Sequence, residues 1–166
     1  MHILVIGAGG VGSAVAAIAV RRDFFTALTI ADYELDRAER AIAALGDARL
    51  TAAQVDASDR AAVVDLITTI GATHVLNAVD PRFVMPIFEA CALAEVTYLD
   101  MAMSLSSPHP SEPHSKTGVK LGDRQFELAH EWEAAHRLAV VGIGIEPGLA
   151  DVFARYAEDE LFLEIT

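Results

Sequence analysis

Basic residues are scarce in this chain: 12 Lys and Arg stand against 24 Asp and Glu, a formal net charge of −12. No basic stripe offsets that excess, which argues against nucleic acid as a partner, since phosphate backbones are gripped by clustered positive charge. Cysteine is nearly absent. The single Cys91 excludes an internal disulfide and fits a reducing, cytoplasmic setting. It lies in Phe88-Glu89-Ala90-Cys91-Ala92-Leu93, where a buried helical thiol is expected rather than a nucleophile. No Cys/His spacing resembles a zinc site, so no metal is expected. An uninterrupted apolar run of membrane length is also missing. Residues 3–20 come nearest, but four glycines break them and only His2 precedes them, so the basic flank of a signal peptide is absent. The stretch reads as strand plus helix, and the protein as one without a membrane segment.

What is present starts with Leu4-Val5-Ile6-Gly7-Ala8-Gly9-Gly10-Val11-Gly12, an apolar run entering a G-x-G-x-x-G at Gly7, Gly9 and Gly12. An Ala-rich segment of helical character follows. Asp32 closes the next apolar run, 20 residues after Gly12. Strand, glycine turn, helix and acid in that order make a dinucleotide-binding βαβ unit. Gly7 permits the tight turn, Gly9 removes a side chain where backbone must approach a pyrophosphate, and Gly12 lets the helix lie close on the sheet. The free N–H groups of a helix beginning near Gly10, through Val11, are placed to face two phosphates, with the helix dipole adding attraction. Asp32 is placed to accept from a ribose 2′-hydroxyl. A carboxylate repels a 2′-phosphate, so the expected cofactor is NAD rather than NADP. Arg37 and Arg40 in the next helix bear on that choice, but near Glu34 and Glu39 they read as solvated helix charges.

The remaining chain alternates strand and helix. Val5 and Ile6 belong to the first strand, and Ser13 to about Arg22 form a helix with Val15, Ile18 and Ala19 towards the sheet. A strand over Ala27–Ala31 ends at Asp32, and a helix over Leu35–Leu45 stops at Gly46. A third strand runs over Leu50–Val55. Ser58 looks like the N-cap of a helix from Asp59 to Ile70, which Gly71 ends. His74–Val79 form a strand. A helix over roughly Arg82–Ala94 tolerates Pro86 only in its first turn. Strands over Val96–Leu99 and Ala139–Gly142 bracket a helix from Asp123 to Arg137. With 166 residues and 53% hydrophobic content, one domain whose parallel sheet is covered on both faces is expected. The fold class is α/β: a doubly wound, mostly parallel sheet of Rossmann type in three α/β/α layers, with strand order 3-2-1-4-5-6.

Ser104–Gly122 breaks the rhythm, with Pro108, Pro110 and Pro113 and little apolar periodicity. It is too long for a plain connection, and a lid, a subunit contact and a disordered excursion are all open. Two further positions bear on cofactor binding. Asp56 follows the third strand, where such folds place a group beside the adenine, although a simple turn acid fits equally. Asn77 and Ala78 end the fourth strand near the nicotinamide ribose, where small residues permit close approach; Asn77 can instead bond local backbone. No His/Asp pair or Ser nucleophile stands out.

Ile6–Gly12 with Asp32, then Leu76-Asn77-Ala78, Tyr98-Leu99-Asp100 and Gly144-Ile145-Glu146-Pro147-Gly148, resemble the saccharopine dehydrogenase family of the glutamate-forming type. The turn at Gly144–Gly148 is the more specific piece, since the glycine loop belongs to every Rossmann superfamily. The resemblance implies an NAD(P)-dependent oxidoreductase acting on the C–N bond of an amino acid, with a small-molecule amino-acid substrate and a homodimer at full length. It also implies an inserted α/β domain holding much of the substrate pocket. Residues 1–150 then form the dinucleotide-binding domain, and 151–166 begin the connection to a second domain that these residues do not contain. The chain is expected to be a cut piece that binds cofactor and catalyses nothing alone. The terminal Leu161–Thr166 reads as an interrupted strand or helix end. Asp100 and Glu146, ending the fifth strand and following the sixth, are the catalytic candidates, either being placed to hold a substrate ammonium; Glu146 can instead cap the next helix. The alternative is a non-catalytic, NAD(H)-sensing regulatory Rossmann domain. Such a domain needs neither the long loop nor the Glu-Pro-Gly turn.

Overall fold

The computed structural model describes residues 1–162. Six strands form one parallel sheet: β1 (His2–Ile6), β2 (Ala27–Asp32), β3 (Leu50–Gln54), β4 (His74–Asn77), β5 (Thr97–Asp100) and β6 (Ala139–Val140). Their order is β3-β2-β1-β4-β5-β6, the order expected from the sequence. The helices are α1 (Gly10–Ala19), α2 (Leu35–Ile42), α3 (Arg60–Ile70), α4 (Val84–Leu93), α5 (Asp123–Phe126), α6 (Ala129–Ala134) and α7 (Leu149–Glu160), with a 3₁₀ turn over Pro81–Phe83.

Because side chains alternate along a strand, β1 feeds two cores. Leu4 and Ile6 pack with Val63, Ile67, Val84, Ile87 and Phe88 from α3 and α4. Val5 packs on the opposite face with Ala16, Ala19 and Ala38 from α1 and α2. A strand buried on both faces explains the continuous apolar run that the sequence carries there. Register sets the functional edge: Ile6 pairs with Ala31 and with Asn77, and Asn77 pairs with Asp100, so the carboxyl ends of four strands share one line.

Several boundaries differ from the sequence expectation, each for a visible reason. α1 begins at Gly10 rather than Ser13 and buries Gly12, Ala16 and Ala19, leaving Ile18 51% exposed. The small residues face the sheet because close approach there excludes a larger side chain. Asp59, not Ser58, caps α3, accepting from the amides of Ala61 and Ala62; the Ser58 hydroxyl is spent on Asp56 Oδ1 at 2.6 Å. α2 stops at Ile42, short of Leu45, and Gly46 takes positive φ in the turn that follows. Pro86 does sit in the first turn of α4. The helix expected over Asp123–Arg137 is two short helices, with Trp132 of α6 buried against Phe88 and Tyr98. β6 is only two residues long because Gly142 leaves the ladder at φ +71° and gives its amide to Asp100. The Ser104–Gly122 excursion folds back on itself: Ser107 and Val119 exchange both backbone hydrogen bonds at 2.9 Å. Leu161 ends α7, and Leu163–Thr166 of the expected terminal element lie outside the described residues.

Candidate functional site

The glycine loop divides into glycines that the protein itself requires and glycines that leave space. A Cβ on Gly7, at φ +110°, would lie 2.6 Å from the Ala78 carbonyl oxygen, and a Cβ on Gly12 would lie 1.8 Å from the Gly7 oxygen. Both positions are closed by backbone, which cannot rotate away. A Cβ on Gly9 or Gly10 would meet nothing within 4 Å. The loop therefore presents a bare backbone to an open side. α1 starts there with no side-chain cap at Gly9 and no acid in its first turn. First-turn amides have no intrahelical partner, so this helix end is suited to an anion.

Asp32 stands beneath that loop, 8% exposed. Its Oδ2 accepts from the Ala8 amide at 2.9 Å, and its Oδ1 accepts from the Glu34 amide at 3.2 Å. One carboxylate thus ties the end of β2 to the glycine turn while lining a cleft of about 340 Å³. That cleft is completed by Ile6, Tyr33, Arg37, Val55, Asp56, Ala57, Ser58, Val79 and Phe83. Asp56 is held in an Asx turn: its Oδ1 accepts from the Ser58 hydroxyl and, at 2.9 Å, from the Ser58 amide. Those bonds hold its carboxyl below the usual carboxylate range.

A second cleft, about 170 Å³, opens on the other side of the glycine loop between Val11, Asn77, Ala78, Val79, Val84, Asp100, Met101 and Ala102. Asn77 is buried; its Oδ1 accepts from the Val79 amide at 3.1 Å and its Nδ2 donates to the Tyr98 hydroxyl at 3.1 Å. Asp100 is 1% exposed and accepts four hydrogen bonds. The Tyr98 hydroxyl (2.9 Å) and Gln125 Nε2 (2.7 Å) reach Oδ2. The amides of Met103 (3.1 Å) and Gly142 (2.8 Å) reach Oδ1. Gln125 in turn accepts from the Ser104 amide at 2.7 Å, closing the start of the long loop onto α5. Burial and the neighbouring Asp100 carboxylate push the Tyr98 hydroxyl far above its ordinary range, so it stays a neutral donor.

Glu146 lies in an exposed turn and lines neither cleft. It does not cap α7 either: Gly148 is the N-cap, and its amide donates to Asp151 at 3.0 Å. The structure thus brings Gly7–Gly12, Asp32, Asp56, Asn77, Ala78 and Asp100 to one sheet edge, and leaves Glu146 apart. Cys91 is buried in α4, and burial pushes its thiol well above the ordinary range, away from nucleophilic use. The roles of Tyr98 and Gln125 as donors to Asp100 carry no mark in the sequence. Arg37 is a solvated helix charge beside Glu34, as its sequence neighbours imply, and it also lines the larger cleft, its Nη1 3.7 Å from Asp32 Oδ1. Its position five residues beyond the acid is a signal that local spacing carries. For Gln125, 25 residues from its partner Asp100, no such signal exists.

With this geometry in hand, the comparison with known proteins is decisive: the model of the saccharopine dehydrogenase NADP-binding domain matches residues 3–140. The chain belongs to that family. The match runs from β1 to the last residue of β6. Carboxynorspermidine synthase of Vibrio cholerae is 35% identical over 176 residues, covering 99% of this chain and 41% of that protein. Carboxyaminopropylagmatine dehydrogenase of a Synechocystis species is 28% identical over 98% of this chain and 39% of that protein. The chain spans about two-fifths of the length of these curated relatives. Among solved structures, the L-Glu-forming saccharopine dehydrogenase of Saccharomyces cerevisiae superposes with a TM-score of 0.72 at 19% identity, over 96% of this chain and 31% of that one. An NAD complex of UDP-glucose 4-epimerase from Thermus thermophilus gives 0.56 at 14% identity, over 85% and 54%. At such identities the likeness is one of fold. No helix among the described residues is long and apolar enough to cross a membrane.

Proposed function

We propose that this chain is the cofactor half of an NAD(P)-dependent oxidoreductase that makes or breaks a C–N bond between an amine and an amino-acid-derived carbon, with NAD preferred. The observation that carries the cofactor reading is the bare backbone at Gly9 and Gly10, open above an uncapped helix end with Asp32 beneath it. The residues present fit such a ligand: a space that no Cβ of the protein fills, free amides for two phosphates, and a carboxylate for ribose hydroxyls. When bound, the nicotinamide supplies or takes up the hydride. In this reading the amides of Gly10, Val11 and Gly12 hold the pyrophosphate. Asp32 accepts from the adenosine ribose, and the fixed carboxylate opposes a 2′-phosphate. Asp56 flanks the adenosine side, while Asn77 and Ala78 keep the second cleft narrow for close approach.

Asp100 and Glu146 enter the proposal differently. Asp100 already accepts from four donors, so its part is to hold Met103, Gly142 and Gln125 in place beside the cleft. Glu146 is free to meet a substrate, but only if another wall faces its turn. We assign that wall to a second domain beyond the dinucleotide-binding residues 1–150, with 151–166 leading to it. Leu149, Val152, Phe153 and Tyr156 on α7 are 46–63% exposed, the kind of apolar face that a following domain covers. Homodimerisation belongs to the same proposal.

The relatives are named as a synthase and a dehydrogenase of carboxylated polyamines, which supports an enzyme over a non-catalytic sensor. It also points to substituted amines bearing an amino-acid carboxylate as substrates. The test is a protein carrying this chain and its downstream domain, assayed by nicotinamide absorbance against saccharopine, lysine and carboxylated polyamines. Turnover that depends on one such amine is expected. Cofactor binding with no turnover on any of them, together with a cofactor-dependent conformational change, would replace the enzyme reading by the sensor.

A further inference from the structure

We infer that Gln125 is a positioning residue: its side-chain amide ties the neck of the Ser104–Gly122 excursion to Asp100 and so sets the wall of the second cleft. The inference rests on the proposed reading of that cleft as the nicotinamide side of the cofactor. The wall is the segment Met101–Met103, of which Met101 and Ala102 line the cleft. Both oxygens of one carboxylate hold it. Asp100 Oδ1 accepts from the Met103 amide at 3.1 Å. Asp100 Oδ2 accepts from Gln125 Nε2 at 2.7 Å, and Gln125 Oε1 accepts from the Ser104 amide at 2.7 Å. The Ser104 carbonyl accepts from the Gly122 amide at 2.9 Å, which closes the excursion onto the N-cap of α5. Met103 stands at φ +60°, a conformation that a non-glycine residue keeps only where its surroundings hold it.

The donors and acceptors leave one chemistry for position 125. The Tyr98 hydroxyl has one proton, gives it to Asp100 Oδ2, and accepts from Asn77 Nδ2. Asn77 itself lines the cleft. The chain Asn77–Tyr98–Asp100–Gln125–Ser104 thus runs from the cleft to the excursion, with donor and acceptor matched at each step. Position 125 must donate to a carboxylate and accept from an amide at once, and a primary amide does both. Leucine does neither. An ionised glutamate only accepts, and a carboxylate so close to Asp100 is driven to take up a proton. Once protonated, it donates to Asp100 and accepts from Ser104 as the glutamine does. Gln125 is 2% exposed, so solvent does not replace a lost bond. The titratable and charged groups about it are Asp100 and Tyr98 on β5, Cys91 on α4 beside Tyr98, Glu133 on α6 and Arg137 before β6, with Asp123 and Arg124 on its own helix.

The experiment titrates NADH and ADP-ribose separately by calorimetry into the wild-type chain, Gln125→Leu and Gln125→Glu, between about pH 6 and pH 8.5. ADP-ribose carries the adenosine and the pyrophosphate without the nicotinamide. The readout is the ratio of the two affinities, which cancels whatever acts on the adenosine half alone. Wild type is expected to favour NADH at every pH. Gln125→Leu is expected to weaken NADH about tenfold and ADP-ribose by less than about twofold. Gln125→Glu should resemble Gln125→Leu at the alkaline end and return to within about threefold of wild type at the acid end, as its carboxyl regains a proton. Rescue of that kind follows the hydrogen bond and not the shape of the side chain. Equal losses for both ligands, no loss for either, or a Gln125→Glu ratio that ignores pH overturns the positioning role and leaves the cofactor reading standing. So does loss of the native circular dichroism spectrum in both variants at all pH values, which assigns Gln125 to stability alone. Equal affinity of wild type for NADH and ADP-ribose overturns the placing of the nicotinamide in this cleft, and the role of Gln125 with it. Failure of wild type to bind either ligand overturns the cofactor reading itself.

Discussion

The two halves of the sheet treat the polar groups at their carboxyl edge in opposite ways. On the β1–β2–β3 side Asp32 and Asp56 accept from donors of the adjoining turns, while Gly9 and Gly10 face open space, α1 has no side-chain cap, and Arg37 rests loosely on its acids. On the β4–β5–β6 side they are consumed internally. Asn77, Tyr98, Asp100 and Gln125 form one chain of hydrogen bonds, buried to 3% exposure or less. A buried carboxylate is costly unless its lone pairs are filled, and those of Asp100 are filled by four donors of the protein itself. The difference separates binding from scaffolding. In the proposed reading the first half offers groups to a ligand, whereas the second spends its groups on holding the post-β5 segment and the β6 exit beside the cleft.

Asp100→Ala should show the largest effect and tests the second half of that contrast. It orphans four donors, each worth about 1–3 kcal/mol when left unpaired and not strictly additive, so a loss near 4 kcal/mol in urea unfolding is expected. Asp100→Asn keeps an acceptor oxygen and should cost about half as much. A stability change below about 1 kcal/mol, with activity abolished in the longer protein, would return Asp100 to a catalytic role. Gly12→Ala comes next. Its Cβ would sit 1.8 Å from a backbone oxygen, and overpacking of that kind costs about 3 kcal/mol, again read by urea unfolding. Asp32→Ala should weaken NADH by about 1.5–3 kcal/mol through the lost charged acceptor, measured by calorimetry, and narrow the gap between NADH and NADPH. An unaltered gap would break the claim that the first half discriminates by charge.

The smallest effect is in pH dependence. Hydrogen bonding from the Arg49 side chain holds the Asp47 carboxyl below the usual range. Arg49 also donates to the carbonyls of Val20 and Arg22 and stacks on Phe25 at 4.3 Å, joining the start of β3 to the end of α1. A carboxyl that titrates lower in the folded state contributes fully above its unfolded value, near pH 4, and loses that contribution as pH falls through the folded one. Asp47→Asn should therefore lower stability slightly at neutral pH and leave it unchanged at strongly acid pH, which flattens the acid limb of the stability curve.

Much of this is legible in the sequence. The strand order followed from alternating elements, and the loop, Asp32 and the acid ending β5 stood at readable spacings because each belongs to a local strand–turn–helix unit. What stayed hidden was long-range or side-chain-specific. Gln125 reaches Asp100 across 25 residues. Ser58 stands where a cap belongs, but its hydroxyl donates to Asp56 across the turn. Ile18 fitted an apolar face that the close approach of Gly12 and Ala16 does not admit. Glu146 had the right place in the chain, but its side chain remains in the exposed turn.

The central claim is that the open glycines serve a ligand and the closed ones serve the fold. Gly9→Val tests it most directly. The account predicts saturable, one-to-one binding of NADH by the wild-type chain. In Gly9→Val it predicts a fall in affinity beyond about thirtyfold, with an unchanged circular dichroism spectrum and stability within about 0.5 kcal/mol. Equal NADH affinity in wild type and Gly9→Val would contradict it, since the cofactor could not then lie on this turn.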